Sequence, residues 1–276
     1  MIAIADTAYG PLAYDSRDPW IGKSLEALGE YNDGEIAAYR RYIREGDTAI
    51  DAGANIGATM LPLACLVGRL GTVIAVEPQL TAFEILCSNV TRNDLANVRT
   101  FRACVGAASG EVLVPDVFAT NATLADAGGL RALDGSRNGV PTPIMTIDAL
   151  GLDRCDFIKM DVEGAESAVL MGARETISKF RPIIYHEIHL DEHGLVPAIL
   201  SAWGYRMWGH SPPLYRLDNR KGAADPWEDR YLSKNGGYFA SINALALPVE
   251  RFSEPPDLPY LKGQIHAPPF LNLRGI

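Results

Sequence analysis

Short apolar runs alternate with segments of helical spacing through the middle of this chain, and the alternation constrains the fold more than any other feature. The runs read TAIDAG from residue 48, GTVIAVEP from 71, NVRTFRACVG from 97, DFIKMDVEG from 156 and RPIIYHEIH from 181. Apolar runs of this length between helices are typical of parallel strands that are buried on both faces. The pattern therefore predicts an α/β fold built on an open, doubly wound sheet.

Composition and charge narrow the class of protein. Hydrophobic residues make up 47% of the 276 residues, which supports one large domain with additions or two small ones. The formal net charge of -9 lacks the basic footprint of a nucleic-acid binder, so we expect no DNA or RNA partner. No apolar run approaches the ~20 residues of a membrane span. The N-terminus has no signal-peptide pattern and the cysteines form no C-x-x-C pair, so we expect a cytoplasmic protein with reduced thiols.

The chain divides into three parts by pattern. Residues 1–46 are rich in aromatic residues and contain EIAAYRRYI, whose helical spacing predicts an N-terminal helical lid. Residues 47–250 hold the alternating runs of the main domain, which a glycine- and proline-containing surface insertion interrupts at 116–143. Residues 251–276 are rich in proline, and we expect them to form an extended tail packed on the domain.

The stretch TAIDAGANIGATM, residues 48–60, predicts a strand, a tight turn and the start of a helix. Nucleotide-type ligands bind at such turns in α/β proteins. The dinucleotide fingerprint G-x-G-x-x-G is not met, because Asn55 stands two residues after Gly53 where the second glycine is needed. The P-loop pattern also fails, because no Gly-Lys-Ser/Thr follows Gly57.

The remaining pattern combines a glycine turn with two acids at the ends of neighbouring strands. It consists of Asp51, Gly53, Asn55 and Gly57, followed at the end of the next strand by Glu77 and Pro78. Asp51 can attract an ammonium or sulfonium group, and Glu77 can accept hydrogen bonds from ribose hydroxyls. Open α/β sheets bind ligands at this carboxyl edge. We therefore predict S-adenosylmethionine (SAM) as the ligand, in preference to a structural turn capped by Asn55.

Several motifs together resemble the FkbM family of SAM-dependent methyltransferases. They are IDAGANIGATM, VIAVEPQLTAFEILCSNVTRN, TIDAL, DFIKMDVEGAESAVLMGA and RPIIYHEIH, within residues 47–189. The resemblance implies a Rossmann-like class I methyltransferase fold with a seven-stranded, mostly parallel sheet. It also implies methyl transfer to a hydroxyl oxygen of a sugar, glycan or polyketide-type small molecule.

The resemblance assigns cofactor roles by position. The expected SAM contacts are the loop residues Asp51, Gly53, Ala54, Asn55 and Gly57, the ribose contacts Glu77 and Pro78, the adenine contacts Cys104 and Val105, and the lid residues Glu30 and Tyr31. Many methyltransferases place an acid or amide near the adenine. This sequence offers none at 104–105, so we expect main-chain contacts there.

Acidic residues and histidines at strand ends are the candidates for the chemistry. An alcohol is a poor nucleophile while it is protonated, so a general base within hydrogen-bond reach assists the transfer. The candidates are Asp161, Glu163, Glu187 and His189, with His186 ranked below them and Glu166 interpreted as structural. As a variant, Asp161 and Glu187 could hold Mg²⁺, which would lower the pKa of the hydroxyl.

Three functions of different classes follow from these patterns. The leading prediction is a SAM-dependent O-methyltransferase whose acceptor site is shaped by the N-terminal lid, the insertion and residues 205–236. A SAM-binding regulatory or scaffold protein without catalysis is the alternative, although such a protein needs no base. A NAD-dependent oxidoreductase is disfavoured by the broken glycine fingerprint. The sequence also allows a homo-oligomer.

Overall fold

The computed structural model describes residues 1–115, 139–188, 194–227 and 242–252, together with the backbone of 261–265. Most of the predicted insertion and of the proline-rich tail therefore lies outside the described residues. His189, one of the candidate bases, lies outside them as well.

Strands and helices alternate along the chain as the apolar runs predict. The strands are β1 Ile2–Thr7, β2 Gly10–Asp15, β3 Thr48–Ala52, β4 Thr72–Val76, β5 Val98–Phe101, β6 Cys104–Val105, β7 Gly110–Val114, β8 Val140–Met145, β9 Phe157–Met160, β10 Ile183–Glu187, β11 Tyr205–His210, β12 Asn243–Pro248 and β13 Leu261–Ile265. The helices are α1 Ile21–Leu28, α2 Asp33–Tyr42, α3 Met60–Val67, α4 Leu80–Arg92, α5 Glu166–Met171, α6 Arg174–Phe180 and α7 Leu195–Ala202.

The central sheet has the strand order β13-β11-β12-β10-β9-β3-β4-β5 in the described part of the chain. The five strands from β10 to β5 are parallel, whereas β12, β11 and β13 each run antiparallel to their neighbours. The seven strands of a class I methyltransferase are therefore present, and β13 adds an eighth strand at the edge. The predicted fold class is confirmed.

The sheet is covered on both faces, as a doubly wound fold requires. Successive strand residues point to opposite faces. Ile50 and Ile158 belong to a core that α5, α6 and α7 complete on one face. Ala49 and Phe157 belong to a second core that α2, α3 and α4 complete on the other face. The helix α2 of the N-terminal segment thus packs directly on the central sheet.

The N-terminal segment, which was expected to be helical, also contains an antiparallel hairpin formed by β1 and β2. The hairpin is fixed to α4 by one buried amide side chain. The Asn89 side chain accepts the Ala13 N–H at 2.7 Å and donates to the Ala13 carbonyl at 3.0 Å. Because this anchor is 76 residues away in sequence, local pattern does not reveal it.

Two predicted elements are each divided in the structure. The run from 97 to 106 forms β5 in the central sheet and then β6, which pairs with β8 in a separate small sheet. The segment of helical spacing that follows the run DFIKMDVEG forms two helices, α5 and α6, which are separated at Gly172. A Cβ on Gly172 would lie 2.0 Å from the Gly106 carbonyl oxygen, so the glycine allows two backbones to pack closely at the break. None of the helices in the described ranges is long and apolar enough to cross a membrane.

Candidate cofactor and active site

The acids that the sequence singled out lie together at one edge of the central sheet. The strands β4, β3, β9 and β10 are parallel neighbours, so their carboxyl ends meet at the same edge. Asp51 lies within β3, Glu77 directly follows β4, Asp161 directly follows β9, and Glu187 ends β10. The topology therefore brings together residues that are up to 136 positions apart in sequence.

Gly53 permits a close approach between the two loops that form this edge. Its φ is +82°, and a Cβ there would lie 1.8 Å from the carbonyl oxygen of Asp161. The N–H groups of Gly53 and Ala54 both donate to the Val76 carbonyl, at 2.9 and 3.0 Å. This glycine is therefore required by contacts within the protein, and the amides of the two residues are already satisfied.

Asn55 and Gly57 complete the turn in the left-handed region of backbone conformation. Asn55 has a φ of 49°, and its side-chain oxygen accepts the Ile56 N–H at 2.8 Å. Gly57 has a φ of +90°, and a Cβ there would lie 2.8 Å from side-chain carbons of both Leu86 and Met60. Contacts within the protein therefore fix the conformation of this turn.

Glu77 is a buried carboxylate that joins this turn to the next strand. Its two oxygens accept the N–H groups of Asn55, at 2.8 Å, and of Gln79, at 2.9 Å. Burial raises the pKa of Glu77 to about 7. Each carboxylate oxygen keeps a second acceptor position, so the group fits the pair of ribose hydroxyls of SAM. Burial raises the pKa of the Cys104 thiol, and the charge of Glu77 raises it further. Cys104, the expected adenine contact, therefore lies near Glu77, the expected ribose contact.

Lys159 is the residue of this site that sequence reasoning missed. Its ammonium is buried and lies 3.3 Å from a carboxylate oxygen of Asp51 and 3.3 Å from one of Asp161. It also donates to the Gly53 carbonyl at 3.2 Å. Burial alone would lower the pKa of Lys159, but the carboxylates of Asp51, Asp161 and Glu35 raise it above its ordinary value. A lysine inside the apolar run FIKM was the available signal.

Asp51 has a different immediate partner from the one expected. It was predicted to attract the ammonium or sulfonium group of the ligand, yet its side chain is fully buried and its ion-pair partner is Lys159. The two residues are direct partners on adjacent strands. The attraction of Asp51 for a cationic ligand stays a prediction.

Three carboxylates converge at the exposed rim of this edge. Asp161, Glu163 and Glu187 each place an oxygen within 4.8 Å of the other two. Glu163 has a φ of 56°, which is unusual for a residue other than glycine. The turn is held by Glu166, which is buried and accepts the N–H groups of Val162 and Gly164 at 3.2 and 3.1 Å.

The remaining candidates have other surroundings. His186 is buried, and its Nδ1 donates to the Glu187 carbonyl at 2.8 Å in the appropriate tautomer. Glu30 is buried and accepts the Arg220 N–H at 2.7 Å, so it fastens the N-terminal segment to a later loop. Burial, followed by the charges of Asp161 and Glu35, raises the pKa of Tyr31 well above its ordinary value. Tyr31 therefore lies near the acidic rim, and closure of a lid stays a prediction.

The model of a protein family described as the methyltransferase FkbM domain matches residues 51–207, which is more than half of the chain. The chain belongs to the FkbM methyltransferase family. This match covers the glycine turn, Glu77 and the three rim carboxylates. No curated protein matches the chain in sequence.

Solved structures that are similar to this FkbM chain are distant in sequence. A methyltransferase FkbM from Methylobacillus flagellatus KT is 16% identical over 76% of this chain and 50% of that one, with a TM-score of 0.46, so the chain spans half its length. M. jannaschii TYW2 in complex with AdoMet is 15% identical over 90% and 86%, with a TM-score of 0.45. A SAM-dependent methyltransferase from Aquifex aeolicus is 16% identical over 85% and 98%, with a TM-score of 0.42.

The family assignment rests on the sequence match, and it agrees with the geometry of the site. The strand order is that of a class I methyltransferase, and the glycine turn and Glu77 fit the ligand that this family binds. The SAM prediction is confirmed at the level of the family. The FkbM chain thus has the fold of a SAM-dependent methyltransferase, and the cofactor contacts at the carboxyl edge stay a prediction.

Proposed function

We propose that this FkbM chain transfers a methyl group from SAM to a hydroxyl oxygen of a sugar, glycan or polyketide-type small molecule. The observation that carries the proposal is the convergence of Asp161, Glu163 and Glu187 within 4.8 Å at the rim of the cofactor edge. Three carboxylates at the end of a ligand site provide a means of removing a proton from an acceptor. A protein that only binds SAM has no need for them.

The chemistry divides between the cofactor and the chain. When bound, SAM supplies an electrophilic methyl group whose bond to sulfur breaks as the new carbon–oxygen bond forms. The glycine turn and Glu77 hold the ribose end, and the rim carboxylates orient the acceptor hydroxyl and take its proton. Alignment of the reacting groups contributes much of the rate in such displacements.

Glu187 is the carboxylate that we propose as the base. Lys159 lies 3.3 Å from Asp161 and stabilises the charged form of that carboxylate, which makes Asp161 a weaker proton acceptor. Asp161 is better suited to orient the acceptor. Glu187 is the last residue of β10, which pairs with β9 next to Asp161. The strand β3, which leads into the glycine turn, lies on the other side of β9.

Turnover with a panel of sugars and glycosylated metabolites tests this proposal, with SAM consumption as the readout. We expect Glu187→Gln to lower kcat by two orders of magnitude or more, in line with the ~10²–10⁴-fold contribution of a general base, while SAM affinity is kept. Glu175→Gln, at an exposed position of α6, is the matched control and should match the wild type. Full turnover by Glu187→Gln would contradict the assignment of the base.

A divalent cation is a second means of activating the acceptor at the same rim. Carboxylate oxygens are the ligands that Mg²⁺ prefers, and Glu163 joins the two residues that the sequence suggested. Such an ion would lower the pKa of a bound hydroxyl and fix its position. Loss of turnover in EDTA with recovery in Mg²⁺ supports this variant, whereas full turnover in EDTA excludes it.

The scaffold alternative makes a different prediction. A regulatory FkbM chain would bind SAM yet consume none with any acceptor. Substitution of the rim carboxylates in such a protein would change neither its affinity for SAM nor its binding to a partner. Consumption of SAM that depends on an added hydroxyl compound therefore separates the two functions.

A further inference from the structure

Two segments that lie outside the residues matched by the family, 51–207, are joined to each other and form a cap. One segment is residues 18–35 of the N-terminal part, and the other is residues 211–227, which follow β11. Three hydrogen bonds of 2.6 to 3.0 Å join them, and these run from the Trp227 indole N–H to the Pro19 carbonyl, from the Arg220 N–H to the Glu30 carboxylate and from the Lys221 ammonium to the Glu26 carbonyl. The two segments are therefore one structural unit.

The order of strands places the attachments of the cap on either side of the rim carboxylates. The strand β11 runs parallel to β10, so the chain leaves β11 at the carboxyl edge. In the order β11-β12-β10-β9-β3, the strands that hold the rim lie between β11 and the glycine turn. Tyr31 packs against the hydrophobic cluster that contains Ile56 of that turn. Pro212 packs on Gly34, where a Cβ would lie 2.5 Å from the Pro212 Cβ.

One hydrogen bond places the start of α2 beside the proposed base, Glu187. The Glu35 carboxylate accepts the Asn243 amide at 3.1 Å. Asn243 on β12 is the register partner of Glu187 on β10, and paired residues of neighbouring strands have their side chains on the same face of the sheet. Tyr31 comes four residues before Glu35. Burial raises the pKa of Tyr31 and the charge of Asp161 raises it further, in agreement with this position.

Two hydrophobic clusters hold the Tyr31 side chain in place. One contains Ile56, and the other contains Leu214 and Trp227 of the second cap segment. The ring of Trp20 stacks on Trp227 with 6.4 Å between the centroids. The Tyr31 side chain is half-buried, so part of its surface is accessible. A ring that is fixed before binding loses little conformational freedom when a ligand stacks on it.

We propose that Tyr31 supplies the aromatic face on which a neutral pyranose ring of the acceptor stacks, while a hydroxyl of that ring donates to Glu187. The face of an aromatic ring carries partial negative charge, which attracts the C–H groups of a sugar ring. The rim carboxylates accept hydrogen bonds from sugar hydroxyls. Their negative charge disfavours phosphorylated or otherwise anionic acceptors. The inference rests on the proposed function and narrows its acceptor to one chemical class.

Calorimetric titration of the full chain with a panel of methyl pyranosides tests the stacking site, with the demethylated product of SAM present so that no turnover occurs. We expect Tyr31→Leu to bind the pyranosides about tenfold more weakly than the wild type, and Tyr31→Phe, which keeps the ring, to bind them as tightly. Tyr42→Leu is the matched control, because Tyr42 is a half-buried tyrosine at the other end of α2, where it packs on Phe252. Wild-type affinity in Tyr31→Leu, or an absence of pyranoside binding by the wild type, would overturn the proposal.

Saturation-transfer NMR on the wild-type chain provides a test that does not depend on the folding of a variant. Saturation of the aromatic protons should pass to the ring C–H protons of a bound methyl pyranoside. The 6-phosphate of the same sugar should give no transfer. Stronger transfer to the phosphorylated sugar, or none to the ring protons of the neutral one, would overturn the proposal.

SAM consumption with the same methyl pyranosides reports separately on the proposed function. Binding that depends on Tyr31 without consumption of SAM would keep the stacking site and contradict methyl transfer to these sugars. Consumption of SAM by Tyr31→Leu with the kcat/KM of the wild type would support methyl transfer and overturn the stacking site.

Discussion

The two edges of the central sheet both contain buried acids, but the acids have different partners. At the amino edge, Asp47 and Asp156 share Arg154, whose side chain is 53% exposed. At the carboxyl edge, Asp51 and Asp161 share Lys159, whose side chain is only 7% exposed. The buried carboxylates of Glu35 and Glu77 also interact electrostatically with Lys159. At the amino edge, the acids that interact with Arg154 are Asp47 and Asp156.

This difference separates charge that stabilises a fold from charge that serves a ligand. The amino edge places its cation in solvent, where an ion pair contributes little and costs little. The carboxyl edge places an excess of acid in a low-dielectric interior, which is expensive unless a cationic ligand offsets it. We interpret the imbalance as a physical reason to expect SAM at this edge.

The largest effect on SAM binding is expected for Gly53. It is compared with Gly46, a glycine of similar backbone conformation at the opposite edge of the sheet. Gly53 and Gly46 have φ values of +82° and +86°, but a Cβ meets the Asp161 backbone at Gly53 and nothing within 4 Å at Gly46. Gly53→Ala should abolish measurable SAM binding. Gly46→Ala should cost only the ~1–2 kcal/mol of a left-handed alanine and keep SAM binding. Calorimetry and thermal unfolding of both variants check this, and equal effects at the two sites would refute it.

A smaller but still large effect is expected for the two shared cations. Lys159→Met leaves Asp51 buried without its ion-pair partner, so the free energy of unfolding should fall by about 3–5 kcal/mol. Arg154→Met removes an exposed cation and should cost about 1 kcal/mol or less. Denaturant unfolding at neutral pH measures both. Similar losses for the two variants would mean that the edges do not differ as described.

The next effect concerns the ionisation of Glu77. Because its pKa is about 7 and ribose hydroxyls donate to the ionised form, affinity should rise as the pH increases from 6 to 8. S-adenosylhomocysteine (SAH), the demethylated product of SAM, isolates the contribution of the ribose hydrogen bonds, because it has the ribose and lacks the sulfonium. Glu77→Gln should bind SAH about tenfold more weakly at pH 8 and lose the pH dependence. If Glu77→Gln keeps the pH dependence of the wild type, another group is responsible for it.

The apolar runs predicted the parallel strands of the central sheet, because buried strands impose a local pattern. The hairpin of β1 and β2 left no such pattern, since Ile2 and Ile4 are exposed and its anchor on Asn89 is distant in sequence. Lys159 was missed for a related reason. Its partner Asp51 is adjacent only after β3 and β9 pair.

At Gly53 and Asp51 the structure shows contacts within the protein that the sequence did not predict. The glycine was expected to admit a ligand, and in the structure it admits the backbone of Asp161. The aspartate was expected to contact a cationic ligand, and it pairs with Lys159. Both reasons depend on which loops and strands are neighbours, and this information exists only in the folded chain.

Titration of the wild-type chain with SAM and with NAD tests the central claim most directly. An acid-rich edge with a broken dinucleotide fingerprint should bind the cationic ligand and reject the anionic one. We predict a one-to-one isotherm with SAM and no measurable heat of binding with NAD at the same concentrations. Binding of NAD, or an absence of binding with SAM, would contradict the account.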